Sequence, residues 1–119
     1  MKFSVSWPPS TLSPNARYQG KSFWAKSKAK KDYADLVKWE ALSHRPKFFS
    51  GDIALKLTFY PPDARKRDLD GNLSRMKPAI DILASQWGID DVRFHPITIQ
   101  RGKPEKGGRV EIEIDCIPE

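Results

Sequence analysis

The chain has 119 residues, 39% hydrophobic and 30% charged, with a formal net charge of +6. That length fits one compact domain, residues 1–119, with a two-layer core, and the apolar-to-charged balance excludes a disordered chain. One cysteine, Cys116, excludes an intrachain disulfide and a cysteine-based zinc site. No run approaches the roughly 18 apolar residues of a membrane span.

Residues 2–7 alternate, with Phe3, Val5 and Trp7 on one side, as in a half-buried strand that Pro8-Pro9 ends. The same N-terminus has no apolar signal-peptide core, so the expectation is a soluble cytoplasmic protein without membrane association. Residues 10–20, rich in Ser, Pro, Asn and Gly, read as a loop in which Asn15, Arg17 and Tyr18 are candidate ligand contacts. A helix is expected over residues 27–44, with Ser27 as N-cap, Tyr33, Leu36, Val37 and Ala41 as its apolar stripe, and Pro46 as its stop. Lys21, Lys26, Lys28, Lys30 and Lys31 crowd its leading end, against the preference of the helix dipole for anions there. Phosphate contacts would account for that cost, and an ordinary solvated face accounts for it equally well.

A second strand places Ile53, Leu55, Leu57 and Phe59 on one face and stops at Pro61-Pro62. The next helix is read over residues 73–87, with Leu73, Met76, Ile80, Leu83 and Trp87 as its core face. On that projection Asp70, Lys77 and Asp81 share another side, although Pro78 is tolerated only if a fresh helical turn begins there. Gly88 is the expected C-cap, after which Ile89-Asp90-Asp91 enters a third strand. His95-Pro96 marks a bulge or an edge in that strand. Residues 110–116 alternate as the last strand, read as a hairpin with the third around the basic loop 101–109. The order β-α-β-α-β-β predicts an α+β (α/β-like) fold, with two helices on a small mixed four-stranded sheet.

Between the second strand and the following helix stands Arg65-Lys66-Arg67-Asp68-Leu69-Asp70. On an extended backbone the i, i+2 carboxylates of Asp68 and Asp70 point the same way. Clustered carboxylate oxygens suit a hard cation such as Mg²⁺, and the adjacent cations suit phosphate. Asp91 is placed to add a third carboxylate, and Lys77 to stabilise charge building on a phosphate. Helix capping by Asp68 and Asp70, and turn roles for Asp90 and Asp91, fit the same spacing. His44 and His95 are too few and too far apart in sequence for a zinc site, and neither a Gly-rich phosphate loop nor a Ser/His/Asp arrangement is present.

Arg67-Asp68-Leu69-Asp70, followed by Asn72-Leu73, Lys77, Asp81 and Asp90-Asp91, resembles the RusA family of Holliday-junction resolvases. Trp7-Pro8-Pro9-Ser10 with Asn15 and Arg17, and Lys106-Gly107-Gly108-Arg109 before the last strand, extend the likeness over nearly the whole chain. Gly71 departs from the family's Asp-Leu-Asp-Asn-Leu run, which leaves Lys77 matched less directly than the aspartates.

The resemblance implies a homodimeric, bacterial or phage-encoded endodeoxyribonuclease that cuts four-way DNA junctions by paired symmetric nicks in recombination and repair. It implies Mg²⁺, with Mn²⁺ as a substitute, on residues matching Asp68, Asp70 and Asp91, and a catalytic lysine matching Lys77. DNA contacts are expected from Arg65, Lys66, Arg67, Asn15, Arg17, Lys106 and Arg109. Two other readings share these residues: a non-catalytic basic DNA-binding protein on the same fold, and a metal-dependent nuclease acting on flaps or forks.

Overall fold

In the computed structural model, which describes residues 1–12, 23–44 and 51–116, a strand opens the chain, β1 (Lys2–Ser6), and a long helix follows, α1 (Phe23–Glu40). The chain continues through β2 (Ile53–Tyr60), α2 (Leu69–Arg75), α3 (Lys77–Trp87), β3 (Phe94–Arg101) and β4 (Arg109–Cys116). Short 3₁₀ turns, Ser10–Leu12 and Asp91–Arg93, lie between these elements. The strands form one mixed sheet in the order β1-β4-β2-β3, which bears out the α+β expectation.

The hairpin does not form. β4 is antiparallel to both β1 and β2, while β3 lies at the edge, parallel to β2. Val110, Ile112 and Ile114 of β4 are all buried, and such a strand is best satisfied by a neighbour on each side. A parallel β2–β3 pair needs a long crossover, which α2 and α3 supply. β3 does show the expected irregularity: the register with β2 shifts between Ile53↔Phe94 and Leu55↔Ile97, where His95-Pro96 lies.

Burial alternates along β1 and β4 and along the first part of β2, so one sheet face carries the core. α1 supplies Tyr33, Val37 and Ala41 to it, and α3 supplies Ala79, Ile80, Leu83 and Trp87. The other face is polar, with Lys2, Ser4, Lys56, Glu111 and Glu113.

Three local expectations change. α1 starts at Phe23, a full turn before Ser27, because residues 23–26 contain no helix breaker; Ser27 is therefore inside the helix and not its cap. Leu36 leaves the apolar stripe and stands 45% exposed, since the buried positions follow Tyr33, Val37 and Ala41 at four-residue spacing. The single helix of residues 73–87 is two helices that meet at Met76. Pro78 sits in the first turn of α3, where its missing N–H costs no helical bond. Gly88 closes α3 as expected, at φ 69°, a left-handed conformation that favours glycine. The third strand begins at Phe94 and not at Ile89, because Asp91–Arg93 forms a 3₁₀ turn.

Polar contacts tie α1 to the sheet. The Tyr33 hydroxyl donates to the Ser6 carbonyl at 2.6 Å and lies 3.3 Å from Met76 Sδ. Glu40 accepts from Ser6 N at 3.0 Å and from Ser6 Oγ at 2.8 Å. Burial, and next the Glu40 charge, push the Tyr33 hydroxyl pKa well above the ordinary tyrosine range. Trp87 packs edge-on against Phe3 and donates its Nε1–H to the His44 carbonyl, so its place in the core is confirmed.

Candidate active site at the end of the second strand

β2 ends at Tyr60, and the loop that follows folds on its own charges. The Asp63 carboxylate accepts from Arg65 N at 2.9 Å and pairs with Arg67 Nη1 at 3.0 Å. The same Nη1 lies within hydrogen-bond distance of the Asp63 and Arg65 carbonyls. The Arg67 bond, then the Arg65 amide, hold the Asp63 carboxyl below the usual aspartate range. Arg67 also lies over the Trp7 ring, 5.6 Å from its centroid, and Arg75 of α2 lies over the same ring at 5.7 Å. Arg75 Nη2 donates to the Pro8 carbonyl at 2.6 Å and Nε to the Pro9 carbonyl at 3.3 Å. The Trp7-Pro8-Pro9 segment is thereby pinned to the C-terminal end of α2.

Asp68 occupies the N-cap position of α2 with extended backbone, φ −82° and ψ 137°, yet its side chain makes no cap hydrogen bond. Its carbonyl accepts from Asn72 N at 3.0 Å, so the helix start is secured by backbone alone. Asp70 lies in the first turn of α2, exposed, where the helix dipole favours a carboxylate. The extended i, i+2 geometry therefore holds at Asp68 only; Asp70 has already entered the helix. A cleft of about 300 Å³ opens beside them, lined by Arg65, Lys66, Arg67, Asn72 and Arg101 among others. Arg101, at the end of β3, donates to the Arg67 carbonyl at 3.3 Å.

Asp91 stands elsewhere. It starts the 3₁₀ turn ahead of β3, exposed, after Asp90, whose carboxylate accepts from Val92 N at 3.1 Å. Asp90 thus has the turn role that the sequence allowed. β2 and β3 run parallel from Ile53↔Phe94 to Phe59↔Arg101, so Asp91 lies at one end of the pair and Asp68 and Asp70 at the other. Among the described residues no group of three His, Cys, Asp or Glu side chains is gathered to hold a metal ion.

Lys77 opens α3 and faces a larger cleft, about 680 Å³, between α1 and α3. Lys26, Lys30, Lys31, Ser74 and Asp81 line it too. The break at Met76 disrupts the projection that put Asp70 beside Lys77 and Asp81; the lysine and Asp81 share their cleft with the α1 lysines. Among the remaining expected DNA contacts, Arg65 and Lys66 are exposed, Arg67 is engaged as described, and Lys106 is exposed. Arg109 is held by Glu105 at 2.8 Å, by Glu111 at 3.4 Å and by Ser4 Oγ at 2.7 Å, with its guanidinium over Tyr60. Asn15, Arg17, Tyr18 and Lys21 lie outside the described residues. Sequence reasoning did not single out Arg75, whose contacts with the Pro8 and Pro9 carbonyls lie 67 and 66 positions away and follow no local spacing.

An α+β domain with exposed carboxylates next to a basic cleft has the groups that a protein acting on phosphodiesters needs. The family model Endodeoxyribonuclease RusA matches residues 7–115, and the chain belongs to that family, whose members hydrolyse phosphodiester bonds within DNA. An uncharacterized protein of Xylella fastidiosa (strain Temecula1) is 33% identical over 118 residues, covering 96% of this chain and 75% of that protein. The crossover junction endodeoxyribonuclease RusA of Enterobacteria phage HK97 is 27% identical over 113 residues, covering 95% of this chain and 92% of its own length.

Proposed function

We propose that this endodeoxyribonuclease resolves four-way DNA junctions as a homodimer by paired symmetric nicks, using Mg²⁺ held by Asp68 and Asp70, with Asp91, at the far end of the β2–β3 pair, reaching that metal from a second copy of the chain. The observation that carries the reading is Asp68. It sits at a helix N-cap, makes no cap bond and so keeps its carboxylate oxygens for another partner, beside a cleft of cations. The similarity to the HK97 crossover junction enzyme supports four-way DNA as the substrate. Hard carboxylate oxygens fit Mg²⁺, which when bound would polarise the scissile phosphate and lower the pKa of a water.

The chain's own groups do the rest. Arg65, Lys66 and Arg101 hold backbone phosphates in the small cleft, which positions the scissile bond without reading sequence. Lys26, Lys30, Lys31 and Lys77 take a further stretch of backbone in the larger cleft. Lys77 in this position binds DNA in addition to any role it has at the scissile phosphate.

The test is a substrate panel in Mg²⁺: a mobile four-way junction, linear duplex, a flap and a fork. Preferential cutting of the junction is expected. Cutting of flaps or forks in preference would reassign the substrate, and tight junction binding with no cutting in Mg²⁺ or Mn²⁺ would make this a binding protein.

A further inference from the structure

Resting on that function, we infer that Trp24, with Lys28 and Lys31 on the same face of α1, forms a subsite for an unpaired nucleotide of the branched DNA. The indole stands 81% exposed, the most open of the large apolar side chains among the described residues. At ~100° per residue, Trp24, Lys28 and Lys31 fall within about 60° of one another, on the side of the helix away from the buried Tyr33, Val37 and Ala41. Both lysines are exposed. Lys31 also lines the cleft of about 680 Å³ with Lys26, Lys30 and Lys77, so the indole borders the path assigned above to the DNA backbone.

The charge along α1 selects the occupant. From Phe23 to Lys31 the helix carries Lys26, Lys28, Lys30 and Lys31 and no carboxylate, whereas beyond that point Asp32, Asp35 and Glu40 offset Lys38. A second open indole, Trp39 at 73% exposure, lies on the same side of the helix but in that mixed half, a turn beyond Asp35. Lysines at the leading end of a helix oppose its dipole, and a bound polyanion removes that cost. An aromatic face set among them suits a polyanion that carries flat rings of its own, which is nucleic acid.

Bases inside a duplex arm are stacked on their neighbours and offer an indole no face. Unpaired bases arise where the arms meet and strands exchange. There Trp24 stacks on one base while Lys28 and Lys31 hold its flanking phosphates. The subsite favours branched over linear DNA and reads no sequence, because every base has a π face.

Binding of a short oligothymidylate tests this, followed by indole quenching and by anisotropy of the labelled strand at several salt concentrations. Trp24→Ala should weaken it by about 5- to 100-fold, the worth of one stacked base. Trp24→Phe keeps a ring and should recover much of that loss, and Trp39→Ala should bind as wild type does. Trp24→Ala should leave the salt slope, the affinity for linear duplex and Tm unchanged, and should lower affinity for the four-way junction. Lys28→Gln with Lys31→Gln should instead reduce the salt slope. A Trp24→Ala protein that binds oligothymidylate as tightly as wild type, or that loses duplex and single strand alike, overturns the inference, as does an equal loss in Trp39→Ala. A wild type that binds oligothymidylate through Trp24 yet neither binds nor cuts junctions would strike the proposed function and leave the subsite standing.

Discussion

Gly102 offers the sharpest test of the packing around the basic cleft. A Cβ at this position would stand 2.4 Å from both Cδ1 and Cε1 of the Tyr60 ring, inside any real contact distance. The ring has little room to yield, because the Arg109 guanidinium lies 3.9 Å from its centroid and is held by Glu105 and Glu111. The Gly102 backbone is tied too, donating to the Phe59 carbonyl at 2.8 Å. Gly102→Ala must displace one of these groups, at about 1–3 kcal/mol for overpacking. For a domain of this size that is a fall of roughly 4–12 °C in Tm. Thermal and urea unfolding of Gly102→Ala, Tyr60→Leu and the double variant form a cycle in which the alanine costs far less once the ring is gone. A Gly102→Ala protein within about 0.5 kcal/mol of wild type, or a cycle with no coupling, would refute the reasoning.

Other expectations rest on individual interactions. Asp68→Ala should change stability by less than about 0.5 kcal/mol, because it has no cap bond to remove, whereas a working cap would cost about 1 kcal/mol; urea unfolding decides. Tyr33→Phe removes the hydroxyl bonds to Ser6 and Met76 and should cost about 1 kcal/mol. Because the folded state raises the Tyr33 pKa, its contribution is whole below the ordinary value of 10.0 and is lost as pH rises above it. The phenylalanine variant should show a shallower decline of stability in that alkaline range. Replacing Lys26, Lys30 and Lys77 by Gln should weaken junction binding for all sequences alike. The salt slope should fall by roughly one for each phosphate no longer neutralised, measured by titration at several salt concentrations.

The parts of this fold that were legible in the sequence are those set by local chemistry. Alternation marked β1, β2 and β4, the stop at Gly88 followed from a left-handed turn, and Pro78 marked the one place where the single expected helix was open to a fresh start. Strand partners were not legible. Adjacency of β3 and β4 in sequence suggests a hairpin, but β4, whose Val110, Ile112 and Ile114 are buried, takes the interior and leaves the interrupted β3 at the edge. The motif Arg67-Asp68-Leu69-Asp70 marked the end of β2 as the candidate site, since its charge and position depend only on neighbours in sequence. Asp91 was recognisable by residue type and family likeness, but its distance from Asp68 depends on the parallel pairing, which no local pattern reveals. The same holds for Lys77, whose neighbours depend on where the helix breaks, and for Arg75, whose partners are distant backbone carbonyls.

The measurement that bears most directly on the account is the mapping of nicks on a strand-labelled four-way junction in Mg²⁺, with Asp70→Asn and EDTA alongside. Paired cuts at symmetric positions on two opposed strands are expected, leaving 5′-phosphates and 3′-hydroxyls. They should disappear in the variant and in EDTA while junction binding persists. Cuts confined to one strand, or cutting that survives both EDTA and Asp70→Asn, would contradict it.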